Sequence, residues 1–205
     1  MKKRRAVIYA LAIFIILTII SYLFWDIPLA NYCRTLSRRM IDLAEIVTPF
    51  GVTKWYLVGS FLFFIIFRFI SKNKLYASEL FFIFSSLSCS GLMLIFIKWL
   101  AGRHRPVDYF NHGYFGFDFF GVGYELTSFP SGHAQTVFTL AMVLTILFPR
   151  WRIPLFLVAG TVSASRIILT AHYLSDVIAG AAVGIFCTMA VKYIFDRLNI
   201  ALSRK

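Results

Sequence analysis

Three short stretches of this 205-residue chain carry the side chains that can hold a phosphate and attack it. They run from Lys98 to Pro106, from Ser128 to His133 and from Ser165 to Asp176. Each stretch lies at or near the end of a long apolar segment, in a chain that otherwise avoids polar groups. Charged groups beside lipid are costly and are usually functional. Together the stretches supply cations, imidazoles and a carboxylate, which are the groups that phosphate binding and nucleophilic attack require.

The first stretch predicts two cations that converge on one anion. Lys98 alone would fit a lysine whose ammonium snorkels from a helix end to the membrane interface. Arg105 and Pro106 follow shortly after it, and Pro106 indicates that the chain leaves any helical path there. A lysine at a helix end and an arginine a few residues later can reach the same anion. Arg103 and His104 lie between them, and neither is included in the predicted catalytic set.

The second stretch predicts an anion site at the start of a helix. Pro130, Ser131 and Gly132 lead directly into an apolar segment that begins at His133. Helix N-termini bind phosphate through their free N–H groups and the helix dipole. An ordinary serine N-cap would also explain Ser131, but it does not require a histidine beside it.

The third stretch predicts an oriented histidine. His172 and Asp176 are four residues apart, so they share a face if the helix has begun, and otherwise meet across a tight turn. Asp176 can accept a hydrogen bond from one imidazole nitrogen, which fixes the tautomer and leaves the other nitrogen nucleophilic. A structural His–Asp pair is the alternative, and Arg166 nearby favours the functional reading.

The composition indicates a membrane protein. Hydrophobic residues make up 60% of the chain and charged residues 15%, which is too little charge for the surface of a soluble domain of this length. A bilayer-spanning helix needs about 20 apolar residues. We therefore predict one all-α integral membrane domain over residues 1–205. Its six spanning helices are expected at about 6–24, 55–71, 79–100, 133–149, 152–171 and 175–195.

The net charge of +12 follows the positive-inside pattern of membrane proteins. With the N-terminus in the cytoplasm, the cytoplasmic helix ends hold 13 basic and 2 acidic residues, whereas the outer side holds 8 basic and 7 acidic residues. A nucleic-acid-binding protein would instead gather its basic residues on one exposed face. We expect both termini in the cytoplasm, all three stretches on the outer side, and no nucleic-acid partner. The first apolar run is too long for a signal-peptide core, so we expect an uncleaved anchor.

Two outer segments carry weaker signals. In the predicted first outer loop, residues 26–54, the spacing of Leu36, Met40, Leu43 and Val47 predicts a short amphipathic helix on the membrane surface that covers the bundle. The segment 107–127 is rich in aromatic residues and glycine, and it is expected to be a loop that forms an interfacial belt or a lid over an acyl chain.

The three stretches resemble the signatures of the type 2 phosphatidic acid phosphatase superfamily, which also includes vanadium haloperoxidases. The family pattern is K-x6-R-P, then P-S-G-H, then S-R-x5-H-x3-D. Residues 98–106, 130–133 and 165–176 fit these three elements in order and without departure at the core positions. The six-helix layout extends the resemblance over most of the chain.

The resemblance implies a role for each matched residue. His172 would be the nucleophile that forms a phosphohistidine, Asp176 would orient it, and His133 would be the general acid and base. The phosphate-binding residues implied are Lys98, Arg105, Ser131, Gly132 and Arg166. No metal or other cofactor is implied.

The function expected is a lipid phosphatase that acts at the outer leaflet, in the inner membrane of a bacterium. Undecaprenyl pyrophosphate, lipid A, phosphatidylglycerophosphate and phosphatidic acid are all consistent substrates. A phosphotransferase that passes the same phosphohistidine to a lipid acceptor is a second possibility. An anion transporter that uses the three cations for selection is a third, but it leaves the His172–Asp176 pair unexplained and no inverted repeat supports it.

Overall fold

The computed structural model of the chain describes residues 2–202. Over that range the structure is helical and contains no β-strand, which confirms the predicted all-α class. The α-helices, in chain order, are α1 (Lys2–Ile20), α2 (Asp26–Cys33), α3 (Arg38–Val47), α4 (Thr53–Ile65), α5 (Lys74–Ala101), α6 (Pro106–His112), α7 (Gly132–Leu147), α8 (Arg152–Ile168) and α9 (Leu174–Arg197).

Five helical stretches are long and apolar enough to cross a membrane. They are Arg5–Cys33, Arg38–Ile70, Lys74–Ala101, Pro149–Ile168 and Leu174–Arg197. Helix α7 is apolar but shorter, so the count of six spans stays a prediction, as does the orientation of the termini. Five of the charges on which that orientation depends belong to side chains outside those described: Lys2, Lys3, Arg4, Arg204 and Lys205.

The first outer loop begins later than predicted. The chain continues from α1 through a π-helical turn, Ser21–Trp25, into α2, so Asp26 lies within a continuous helical stretch and is only 1% exposed. The predicted amphipathic helix is present as α3, which packs against α8. Helix α3 therefore covers part of α8, although Met40 and Leu43 of the predicted stripe are exposed, and its position on a membrane surface stays a prediction.

The segment after α5 differs from the prediction at Pro106, whereas the end of α5 at Ala101 agrees with the predicted span 79–100. The helix ends at Gly102, which adopts a left-handed φ of +55° where a Cβ would collide with the Asp118 carbonyl oxygen. Pro106 does not end a helix but begins α6, because proline has no N–H to lose in a first turn. The segment 107–127 is therefore not wholly a loop. His112 ends α6 and its Nδ1 lies 2.8 Å from Asp108 Oδ1.

Helix α7 lies at the centre of the bundle and packs against α5, α8 and α9. Its contact with α9 depends on Gly180 and Gly184, because a Cβ at either position would collide with the α7 backbone, at Ser131 and Gln135 respectively. Small residues spaced four apart allow two helices in a membrane to approach closely. The close approach brings the beginning of α7 beside the beginning of α9, where two of the predicted site segments lie.

Candidate active site

The predicted site residues come together at one end of the bundle. The end of α5, the start of α7, the end of α8 and the start of α9 meet there, and direct contacts join the loops between them. The Ser131 amide donates to the Asp176 carbonyl oxygen at 2.9 Å, and the His172 amide donates to the Arg166 carbonyl oxygen at 3.2 Å. Arg105 of the first stretch donates to the Ala171 carbonyl oxygen at 2.9 Å, so the three stretches form one site.

His172 occupies the tight turn between α8 and α9, which is one of the two arrangements that its spacing to Asp176 allows. Helix α8 ends at Ile168, three residues earlier than predicted, because Thr170 adopts a φ of +48°. The amides of Ala171 and His172 then both turn back to the Arg166 carbonyl oxygen. This turn sets the imidazole directly beside the first turn of α9.

The two nitrogens of His172 face different partners. Nδ1 lies 3.6 Å from Asp176 Oδ2, just beyond hydrogen-bond length, and Nε2 lies 3.5 Å from Arg105 Nη1. The side chain is 4% exposed. Burial lowers the pKa of His172 to about 4, against the opposing effect of the Asp176 carboxylate. The imidazole is therefore neutral near pH 7, with Nε2 directed toward the cations.

Asp176 is held by donors on both carboxylate oxygens. Its Oδ2 accepts from the Ser128 hydroxyl at 2.6 Å and from the Tyr173 amide at 2.9 Å. Its Oδ1 accepts from Arg103 Nη1 at 2.5 Å. The carboxylate also lies in the first turn of α9, where the helix dipole favours negative charge. A carboxylate fixed in this way can orient the adjacent imidazole without moving.

Backbone carbonyl groups hold Lys98 and Arg105, the two cations of the first stretch that were predicted to bind phosphate. Arg105 donates to the carbonyl oxygens of Tyr124 at 2.7 Å, Ala171 at 2.9 Å and Thr127 at 3.2 Å. The Lys98 ammonium also donates to the Thr127 carbonyl oxygen. Carbonyl dipoles fix the positions of these cations without cancelling their charge. The cations therefore stay available to an anion, whereas a carboxylate partner would compete with it.

The second stretch brings unpaired donors to the same place. Ser131 is the N-cap residue of α7, but its side chain makes no capping hydrogen bond. Among the described residues, its buried hydroxyl has no partner, and neither has Nε of Arg166. Arg166 Nη1 donates to the Thr48 hydroxyl at 2.7 Å. Buried donors are normally satisfied, so Ser131 at the N-terminus of α7 and Arg166 in the last turn of α8 are both suited to an anionic ligand.

His133 lies in the first turn of α7, within the range of electrostatic interaction with Arg105 and Arg166. Its ring also packs against Gly51, where a Cβ would come within 2.5 Å of Cδ2. A second imidazole therefore lies next to the cations, as the predicted acid and base role requires.

Sequence reasoning missed Arg103, which is fully buried and links the first helices to the site. Its Nη2 donates to Asp26 Oδ2 at 2.6 Å, and its Nη1 donates to Asp176 Oδ1 and to the Ser175 hydroxyl at 2.6 Å. Asp26 in turn accepts from the Ser175 amide at 2.9 Å. One guanidinium thus joins the α2 carboxylate to the carboxylate that faces His172.

The surroundings of Arg103 are aromatic. Its guanidinium carbon lies between 4.6 and 5.9 Å from five ring centroids, which belong to Tyr22, Phe115, Phe117, Phe129 and Tyr173. Burial alone would lower the pKa of Arg103, but the charges of Asp176 and Asp26 outweigh it and hold the pKa above its usual range. Two aromatic residues of the predicted belt or lid segment, Phe115 and Phe117, thus help to enclose a buried cation.

Comparison with known proteins identifies the family of the chain. The model of the PAP2 superfamily matches residues 76–200. A lipid A 1-phosphatase of Rhizobium etli is 30% identical over 191 residues, covering 88% of this chain and 82% of that protein. A lipid A 1-phosphatase of Rhizobium johnstonii is 30% identical over 192 residues, covering 89% and 78%. The chain therefore belongs to the PAP2 superfamily, and the resemblance to its membrane lipid phosphatase branch is confirmed.

Two solved structures share the fold. The crystal structure of LpxE from Aquifex aeolicus matches with a TM-score of 0.61 at 21% identity, covering 82% of this chain and 94% of that one. A PAP2-type phosphatidylglycerolphosphate phosphatase from Bacillus subtilis matches with a TM-score of 0.59 at 17% identity, covering 97% and 98%. These two similarities support the arrangement of helices.

Proposed function

We propose that this chain is a lipid A 1-phosphatase that hydrolyses its substrate through a phosphohistidine at the outer leaflet of a bacterial inner membrane. Family membership and relatives that share 30% identity over most of both chains support hydrolysis of a lipid phosphate. The single observation that carries the mechanism is the position of His172, with Asp176 on one ring nitrogen and Arg105 beside the other.

In the first step, the Nε2 lone pair of His172 attacks phosphorus and an N–P bond forms. The bond from phosphorus to the lipid oxygen breaks, and His133 gives its proton to that oxygen. Asp176 offsets the positive charge that develops on the imidazole of His172. In the second step, His133 takes a proton from water, the resulting hydroxide attacks phosphorus, and the N–P bond breaks to release phosphate.

The cations and the α7 N-terminus bind the transferring phosphoryl group. Lys98, Arg105 and Arg166 offset the charge on its oxygens, and Ser131 with the Gly132 amide adds hydrogen bonds. The unpaired hydroxyl of Ser131 and the unpaired Nε of Arg166 support this role. Within residues 2–202 no group of three or more His, Cys, Asp or Glu side chains is arranged to hold a metal ion, and the proposed steps need none.

The proposed orientation of the chain in the membrane depends on the distribution of its basic residues. The helix ends opposite the site carry basic residues, with Arg150 and Arg152 between α7 and α8 and Lys192 and Arg197 near the end of α9. An excess of basic residues favours the cytoplasmic side. The site then faces the periplasm.

Phosphate release by the purified protein in detergent tests the proposed function. With EDTA present, we expect release from lipid A 1-phosphate, and loss of that release in the His172→Ala variant. Undecaprenyl pyrophosphate, phosphatidylglycerophosphate and phosphatidic acid serve as competing substrates in parallel reactions. Faster release from one of these would replace lipid A as the substrate. Transfer of phosphate only to an added lipid would identify a phosphotransferase.

Arg166→Lys is expected to lower kcat/KM by about 10²-fold, because a point charge does not replace a guanidinium that binds in a fixed planar geometry. Arg39→Lys, a change in α3 outside the site, is the matched control and should leave kcat/KM near the wild-type value. Steady-state phosphate release measures both variants. Near-normal kinetics in Arg166→Lys would mean that Arg166 has a structural role only, through its hydrogen bond to the Thr48 hydroxyl.

A further inference from the structure

We propose that an apolar groove between α7 and α8 binds an acyl chain of the lipid whose phosphate occupies the site. This inference rests on the proposed function and adds the binding position of the lipid tail. The groove has a volume of about 540 Å³ and is lined almost wholly by apolar side chains. Its walls come from α7, α8, Tyr56 and the segment that joins α3 to α4.

The helix periodicity connects the groove to His133. Val137, Leu140, Ala141 and Leu144 line the groove, and they follow His133 at spacings that keep all five on one face of α7. At 1.5 Å per residue, the distance from His133 to Leu144 along the helix is about 16 Å. This is close to the thickness of one leaflet, since the hydrocarbon core of a bilayer is about 30 Å thick.

On α8 the groove-lining residues likewise share a helix face with a site residue, but here they precede it in the sequence. Leu155, Val158, Ala159 and Val162 line the groove, and they precede Arg166 on its own face of the helix. The two helices therefore form groove walls that begin at His133, the proposed acid, and at Arg166, a proposed phosphate ligand. Val137, Ala141, Ala159 and Val162 are buried and pack together, so they form the floor of the groove. An acyl chain that leaves the bound phosphate group would lie over this floor.

The turn between α3 and α4 belongs to both the site and the groove. Thr48 accepts from Arg166, and Gly51 packs against the His133 ring. Val47 and Phe50 in the same turn line the groove, and Phe50 is 61% exposed. One end of the groove therefore lies next to the phosphate site. This position beside the phosphate site distinguishes the groove from an apolar helix surface that any lipid of the bilayer would cover.

Two tryptophan variants at different depths test the groove. Leu140→Trp narrows it about 10 Å from His133 and Leu144→Trp about 16 Å from His133, at 1.5 Å per residue. The substrates are synthetic lipid A 1-phosphates that carry acyl chains of short, medium and long length, in mixed micelles. Ile16→Trp on α1, at an exposed position outside the groove, is the matched control.

We expect Leu140→Trp to lower kcat/KM about tenfold for long and medium chains, because about two buried methylenes lose their contacts. Leu144→Trp should affect long chains only, and all variants should hydrolyse the short-chain substrate within about twofold of wild type. A chain-length profile that is unchanged in both groove variants, with wild-type hydrolysis intact, would overturn the groove and leave the proposed function standing.

A second readout does not need turnover. A long-chain lipid phosphate with a photoreactive group in its acyl chain should label peptides of α7 and α8, and excess inorganic phosphate should reduce that labelling. Labelling spread evenly over all outward helix faces would overturn the groove. If no tested lipid is hydrolysed but α7 and α8 are labelled, the proposed function is contradicted and the proposed acyl-chain groove is supported.

Discussion

Replacement of His172 by alanine is expected to lower phosphate release by about 10⁴-fold or more, because the N–P bond then has no atom on which to form. His133→Ala is expected to retain slow formation of the phosphoenzyme. Its turnover should fall by about 10²- to 10⁴-fold, since both proton transfers lose their partner. The two histidines should therefore differ in the intermediate they allow as well as in rate.

Substrate labelled at phosphorus, followed by mass spectrometry of the quenched protein, separates these outcomes. The label should appear on residue 172 in His133→Ala and be absent from His172→Ala. His112→Ala is the matched control, because its ring contacts Asp108 outside the site and is half-exposed. Label on any other side chain, or turnover that survives in His172→Ala, would contradict the assigned nucleophile.

Arg103→Met is expected to lower the free energy of unfolding by about 3–5 kcal/mol, because two buried carboxylates lose their common partner. Asp26 and Asp176 are both fully buried, so water cannot replace the guanidinium. Arg38→Met is the matched control. It removes an arginine from an exposed pair with Asp42, and a change of about 0.5 kcal/mol or less is expected.

Unfolding of the purified protein in micelles by a denaturing detergent measures both variants. Adding Asp26→Asn to Arg103→Met should recover part of the loss, because one of the two uncompensated charges is then removed. Stability equal to wild type in Arg103→Met would mean that the network contributes little. Equal losses in Arg103→Met and Arg38→Met would contradict the role assigned to burial.

Local patterns are sufficient to predict most of the site. The order and spacing of Lys98, Arg105, His133, His172 and Asp176 indicate a phosphate site from the amino-acid sequence alone. These residues lie at helix ends, and helix ends can be recognised from apolar runs and from the Pro130–Gly132 turn. The amphipathic helix α3 is predictable for the same reason, since its spacing is a property of one short segment.

The network around Arg103 could not be predicted in this way. Asp26 and Ser175 are 149 residues apart, and no periodicity relates them. A signal was nevertheless present, because an acidic residue that follows a long apolar run needs a partner near lipid. Arg103 and Asp26 lie on the same predicted side of the membrane, so a search for opposite charges on that side would have paired them.

The helix break predicted at Pro106 was also wrong. The place of this proline at the start of α6 depends on the loop packed over it.

The contact between Asp26 and Ser175 has a consequence for the order of biosynthesis. Long-range contacts close late, because a long intervening chain must first be ordered. A nascent protein that has inserted α1 to α5 already holds Asp26 and Lys98, yet Arg105, Arg166, His172 and Asp176 are made later. Asp176 belongs to the last helix, and Arg103 joins it to Asp26. We therefore expect hydrolysis to begin only once α9 has docked against the first helices. Activity thus reports the completion of membrane insertion.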